Sequence, residues 1–133
     1  MFMERLDVVT TQRQQFIDIT RNVQALLKQS HVKDGICIIY VPHTTAGITI
    51  NENADPDVVS DISAYLDKLV PRHGSYAHIE GNSDAHIKSS LFGCSQIIPV
   101  VNGELSLGRW QGIYFSEFDG PRPRQVLVTI ING

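Results

Sequence analysis

Ser95-Gln96-Ile97-Ile98-Pro99-Val100-Val101-Asn102-Gly103-Glu104-Leu105-Ser106-Leu107 is the stretch on which the fold turns. Apolar residues crowd both sides of Asn102-Gly103, two positions that tolerate the positive φ of a tight two-residue hairpin. The reading is a strand over 95–101, a turn, and a returning strand over 104–107. Pro99 has no N–H to give to a ladder, so its strand runs along an edge or carries a bulge. The pattern continues downstream, where 110–118 and 124–131 read as two further strands.

Working back from the hairpin, residues 4–11 and 14–19 are rich in Val, Ile and Phe and read as strands. Thr20 then caps a helix with Val23, Leu26 and Leu27 as its apolar stripe. Asp34-Gly35 turns the chain into a buried strand over 36–41. The next segment, 46–51, sets Ile48 and Ile50 against Thr49 and Asn51. At Asp55-Pro56-Asp57 a helix begins, with Asp55 as cap, Pro56 at the first helical position and both acids at the positive end of the dipole. Val58, Ile62, Tyr65, Leu66 and Leu69 form its apolar face, and Pro71-Arg72-His73-Gly74 ends it. A shorter helix starts at Asn82 or Ser83 and stops at Gly93, with Ile87 and Leu91 turned to the core. Strands outnumber helices and short turns join most of them. The fold class is therefore α+β: one compact domain over residues 1–133, a largely antiparallel sheet or sandwich with two or three helices.

Composition narrows the function. Hydrophobic residues make up 42% and charged residues 19%, as in ordinary globular proteins. With 133 residues the chain is long enough to bury roughly two-thirds of its unfolded surface. Lys and Arg total 11 against 14 Asp and Glu, a net charge of -3. That balance lacks the broad positive field of a phosphate-backbone binder, so no nucleic acid is expected as partner. No run approaches the ~20 apolar residues of a membrane helix, so no membrane is expected either. The start, Met1-Phe2-Met3-Glu4-Arg5, does not read as a secretory signal. Cys37 and Cys94 lack framework spacing and read as reduced, buried thiols of a cytoplasmic protein.

The chemistry-bearing residues lie in polar segments. His43 opens His43-Thr44-Thr45-Ala46-Gly47, and His78 and His86 bracket Glu80-Gly81-Asn82-Ser83-Asp84. Three histidines match the ligand number of a catalytic zinc site, although no HExxH pair is present; separate surface histidines are the alternative. Gly81-Asn82-Ser83 precedes a helix whose free N–H groups suit an anion, with Lys88 adding positive charge; plain capping by Asn82 or Ser83 is the alternative. Glu52 is placed as a general base or as support for a ligand, and Asp84 as the group that orients a histidine. Asp119-Gly120-Pro121-Arg122-Pro123-Arg124 is either a phosphate clamp or a polar connection, and Glu117 and Asp119 read as solvated charges. His31 is expected to complement a helix end, and His73 to be solvent-exposed. Trp110 reads as core packing, or else as part of a pocket or subunit contact.

Four segments together resemble the YjbQ-like family: 43–53, 81–90, Gly108-Arg109-Trp110-Gln111 and 119–124. The resemblance implies a homotrimer of α+β subunits and a cluster of three histidines, matching His43, His78 and His86, that holds a divalent metal such as zinc. It further implies secondary thiamine-phosphate synthase activity, joining a pyrimidine methyl diphosphate to a thiazole phosphate with release of pyrophosphate. A small phosphorylated metabolite would then meet Thr44, Thr45, Asn82, Ser83, Lys88 and Arg122, with Glu52 and Asp84 as catalytic groups. Two other readings use the same groups: a non-catalytic metal- or phosphometabolite-binding trimer, and a metal-dependent phosphoester hydrolase.

Overall fold

The computed structural model describes residues 1–133. The chain opens with β1 (Phe2–Val9), β2 (Gln15–Asp18) and α1 (Thr20–Ser30), followed by β3 (Gly35–Tyr40), β4 (Ala46–Glu52) and α2 (Pro56–Leu69). It continues with α3 (Ser83–Phe92), β5 (Ser95–Val101), β6 (Glu104–Leu105), β7 (Gln111–Glu117) and β8 (Pro123–Asn132). β8 alternates buried Arg124, Val126, Val128 and Ile130 with more open neighbours, the period of a strand with one face in the core. It lies between β1 and β3 in a five-stranded sheet of order β1-β8-β3-β5-β6; a second sheet has order β2-β7-β4. Every ladder is antiparallel. The result is a single α+β domain of two curled sheets and three helices, as the sequence predicts.

The inward rows of both sheets meet in one core, where Cys37, Ile39, Val126, Val128 and Ile130 face Ile48, Ile113 and Phe115. α1 supplies Val23 and Leu27 to the same core. A smaller cluster joins Leu66 of α2 and Ala85 of α3 to Phe118, with Phe16 and Phe92 packed against it. Its rings meet edge-on or tilted, with centroids 5.1 Å apart for Phe92–Phe118 and 5.8 Å for Phe16–Phe92. α3 lies on β4, where the Ile48 N–H donates to the Gly93 carbonyl at 3.1 Å. Gly47 permits that approach, since a Cβ there would stand 2.8 Å from the same oxygen.

Local signals largely match. Asn102 and Gly103 take φ of 52° and 75° and turn β5 back on β6. Pro99 is tolerated because β6 covers only the end of β5 and leaves the rest of that edge open. The Asp55 carboxylate accepts from the Asp57 N–H at 2.9 Å, capping α2.

Five expectations need correction. Thr20 is the first helical residue rather than the cap; its hydroxyl donates to Asp18 and accepts from the Ile113 N–H. Ile87 and Leu91 face outward, 39% and 60% exposed, while Asp84, Ala85, Lys88 and Ser89 are buried. The polar face of α3 points inward because charges from other segments receive it there. Cys94 is exposed, being placed just beyond the end of α3. Trp110 is 54% exposed, with the Arg109 guanidinium over its ring. Glu117 is not a solvated charge but is fully buried.

Candidate functional site: a histidine cleft beside two buried ion pairs

The loop before α3 folds over the helix's first turn, tied down by the Tyr76 hydroxyl donating to the Pro71 carbonyl at 2.5 Å. It thereby brings His78 against His86, with ring centroids 5.3 Å apart and planes nearly perpendicular. Tyr76, Ser83 and Ile87 help line the cleft they form, about 460 Å³ in volume. Asn82 occupies the cap position but makes no capping hydrogen bond. Its side-chain amide instead donates to the Asp119 carboxylate at 2.9 Å, and its buried Oδ1 has no partner. The first turn of α3 thus has no side-chain cap; its Ala85 N–H donates to the Asn82 carbonyl, and the uncapped start favours negative charge.

Asp119 is the junction between this helix start and the turn before β8. Arg122 donates from Nε to the Asp119 carbonyl at 2.8 Å and from Nη2 to its carboxylate at 3.1 Å. Arg122 is therefore anchored on one side and half exposed on the other.

Behind the turn lies a buried ion pair. Arg124 donates from Nε to Glu117 at 2.8 Å and from Nη2 to its second oxygen and to the Thr45 hydroxyl. Glu117 also accepts from the Thr10 hydroxyl and the Asp119 N–H. Burial alone would raise the Glu117 carboxyl, but the hydrogen bonds from Arg124, Asp119 and Thr10 outweigh it and hold the group below its ordinary value. A second pair locks α3: Arg13 grips Asp84 with two bonds of 2.9 and 3.1 Å. Lys88, 1% exposed, donates to Gln14 at 2.7 Å and to Asp67 at 2.9 Å. The hydrogen bond to Asp84 also raises the Arg13 guanidinium above its usual range.

The structure gathers some of the predicted site residues and separates others. His78, His86 and Ser83 share the cleft, and Asn82 is joined to Arg122 through Asp119. His43, in the loop between β3 and β4, does not line that cleft; its Nε2 accepts from the Gln125 N–H at 3.0 Å. Burial first, and then the charge of Arg124, hold its imidazole below the ordinary value, which keeps it a neutral acceptor. Thr45 is buried and spent on Arg124, whereas Thr44 is exposed. Asp84 and Lys88 point into the protein, paired as described. Glu52 closes β4 at the end opposite Thr45, about 20 Å away for seven residues of strand. Sequence reading missed Arg13 and the junction role of Asp119, because no local pattern marks either.

A catalytic zinc takes about three protein ligands. Within one chain, no group of three or more His, Cys, Asp or Glu side chains is arranged to hold a metal, and the Nε2 of His43 is already engaged. The side chains of this chain, as arranged, therefore do not fit a three-histidine metal centre. No helix is long and apolar enough to cross a membrane.

Comparison with known proteins is consistent along the whole chain. The family model described as UPF0047 protein YjbQ-like matches residues 4–133. UPF0047 protein MJ1081 of Methanocaldococcus jannaschii is 56% identical over 127 residues, covering 96% of this chain and 92% of that protein. UPF0047 protein YugU of Bacillus subtilis is 52% identical over 130 residues, covering 97% and 98%. Among solved structures, an uncharacterized YjbQ/UPF0047 protein of Clostridium acetobutylicum superposes with a TM-score of 0.95 at 58% identity, covering 96% of this chain and 99% of that one. A protein of unknown function from Sulfolobus solfataricus gives the same TM-score, 0.95, at 32% identity, covering 99% and 97%. Fold, motifs and full-length similarity agree: the chain belongs to the UPF0047 YjbQ-like family.

Proposed function

We propose that this protein binds a small phosphorylated metabolite in the His78–His86 cleft and catalyses a transfer that releases phosphate or diphosphate. The reaction assigned first is of thiamine-phosphate synthase type, joining a pyrimidine methyl diphosphate to a thiazole phosphate with release of pyrophosphate. The observation that carries the reading is the meeting of two imidazoles and Ser83 at a helix start without a side-chain cap. Such a helix start attracts phosphate oxygens, and an imidazole beside it can pass a proton to a departing diphosphate. Arg122, aimed by Asp119, supplies positive charge for the same oxygens. The chemistry needs no nucleophile from the protein. Zinc or another divalent metal enters this proposal as a variable to be tested, with no step assigned to it. The working unit in this reading is a cytoplasmic homotrimer.

A second reading, a non-catalytic phosphometabolite binder, is favoured by the ion pairing of the acids around the cleft. Asp84 is held by Arg13 and Asp119 by Arg122, so neither is a free base.

The test is turnover of the two phosphorylated substrates by purified protein, as isolated, after chelation and after zinc reloading. Product formation that is lost in folded His86→Ala supports the synthase. Hydrolysis of the diphosphate without condensation reassigns the site as a phosphoester hydrolase. Tight substrate binding without product in any state identifies a binder. Full activity in His86→Ala refutes the cleft as the active site.

A further inference from the structure

We infer that the groove between α2 and the β1–β2 connection is a second binding site, built for a sugar phosphate or another hydroxylated anion of that size. Two neighbouring cavities make the groove, about 580 and 410 Å³ in volume, and Gln14 and Asp67 border both. Each falls within the ~300–1,000 Å³ usual for small-molecule sites. Neither shares a residue with the His78–His86 cleft, so the inference stands apart from the function proposed above.

The larger cavity has the lining of a carbohydrate site. A sugar offers hydroxyls around a ring whose C–H faces are apolar, and the walls answer both. Gln12, Ser60 and Ser63 supply polar groups, while Phe16 and Val59 give one apolar side. Gln14 is fixed at both ends of its amide. Its Nε2 donates to the Ser63 hydroxyl at 2.8 Å, and its Oε1 accepts from Lys88 at 2.7 Å. Ser63 thereby keeps its own proton to donate. Asp67 gives Oδ1 to Lys88 at 2.9 Å and keeps Oδ2 for a hydroxyl. Because Lys88 is buried, this wall is set before any ligand arrives, which lowers the ordering cost of binding.

The smaller cavity has the charge of an anion site. Arg13, Arg72 and His73 line it beside Pro71. Of the five N–H donors of a guanidinium, Arg13 spends two on Asp84. Arg72 is exposed and takes part in none of the ion pairs of the chain. Arg13, Arg72 and Lys88 against Asp67 and Asp84 leave one positive charge unmatched at the groove. Guanidinium forks suit phosphate and carboxylate oxygens. A neutral sugar would leave Arg72 unused, and a bare phosphate would leave the amide and hydroxyl wall unused. A molecule carrying both parts engages both cavities.

Nuclear magnetic resonance titrations of the intact protein test the site. The probes are glucose 6-phosphate, ribose 5-phosphate and glycerol 3-phosphate, with glucose and inorganic phosphate as the two incomplete halves. At least one ester should shift the His73 ring and Gln14 side-chain amide signals and bind about tenfold tighter than either half. In Arg72→Gln, folded by circular dichroism, that ester should bind about tenfold more weakly. No shift at His73 and Gln14 with any ester overturns the inference. So does either half binding as tightly as the esters, or Arg72→Gln binding as tightly as the wild type. The His78 and His86 signals report the cleft in the same titrations. Shifts confined to those two rings put the phosphate in the cleft and overturn the groove site. Shifts confined to His73 and Gln14 support the groove site and count against the cleft.

Discussion

Removing Glu117 tests the buried pair on which the turn before β8 depends. In Glu117→Ala, Arg124 keeps its charge in a site where it is only 4% exposed, and its one remaining side-chain partner is the Thr45 hydroxyl. Breaking a buried pair by deleting one partner typically costs about 3–5 kcal/mol. The other orphans add less. The Thr10 hydroxyl can give its one proton to the Arg122 carbonyl, 3.1 Å away, instead, and the Asp119 N–H loses one acceptor. We therefore expect about 4 kcal/mol of destabilisation, a large share of the ~5–15 kcal/mol typical of a domain. Urea denaturation followed by circular dichroism measures it, and added salt should not restore the loss, because screening acts weakly on buried charges. The double variant Glu117→Leu with Arg124→Met removes both charges at similar volume. Replacing a buried pair in this way is often neutral or stabilising by about 1–4 kcal/mol, against roughly 1–3 kcal/mol for the orphaned Thr45 hydroxyl. The double variant should thus return to within about 2 kcal/mol of the wild type. A single-variant cost below about 1 kcal/mol, or a double variant no better than the single, refutes the reasoning.

The same geometry sets the pH profile of stability, the reactivity of the two thiols and the weight of the smaller core. His43 is held below 6.5 in the folded chain, so the unfolded chain takes up its proton first and stability falls as pH drops below that value. His43→Gln should remove this first step, and an unchanged profile would exclude His43 as its source. Glu117 and Asp84 are held below 4.5 and 3.8. Their contribution is complete above those values and is lost as pH falls through their lower folded values, seen as a second, more acidic loss of stability. Cys94 should react quickly with a maleimide in native protein, whereas Cys37, buried and with its thiol pushed up to about 11, should react only on unfolding. Equal rates at the two thiols would contradict the burial of Cys37. Phe118→Ala should cost about 3–5 kcal/mol, because it empties the centre of the smaller core; a loss under about 1 kcal/mol would mean that this core contributes little.

Much of the fold was readable in the sequence because its signals are local. Asn102 and Gly103 both tolerate the positive φ that they adopt here, a property of the two residues themselves. The Asp55 cap acts on a residue two positions away, and the alternation of β3 and β8 follows from strand geometry alone. The composition of the histidine cleft was also visible in part, since Ser83 and His86 share a helix start and His78 lies just upstream. The inward turn of the polar face of α3 was not visible. Asp84 is met by Arg13 from 71 residues away, and Lys88 by Gln14 from 74. Likewise Glu117 lies seven residues from Arg124, yet Thr10 and Thr45, which complete its site, come from other strands and loops. The sequence by itself determined the elements, their antiparallel pairing and the family, because backbone preferences and turn chemistry act between neighbours. Tertiary structure alone decided which charges are buried and which histidines meet, because an ion pair in the interior exists only once distant segments have closed around it.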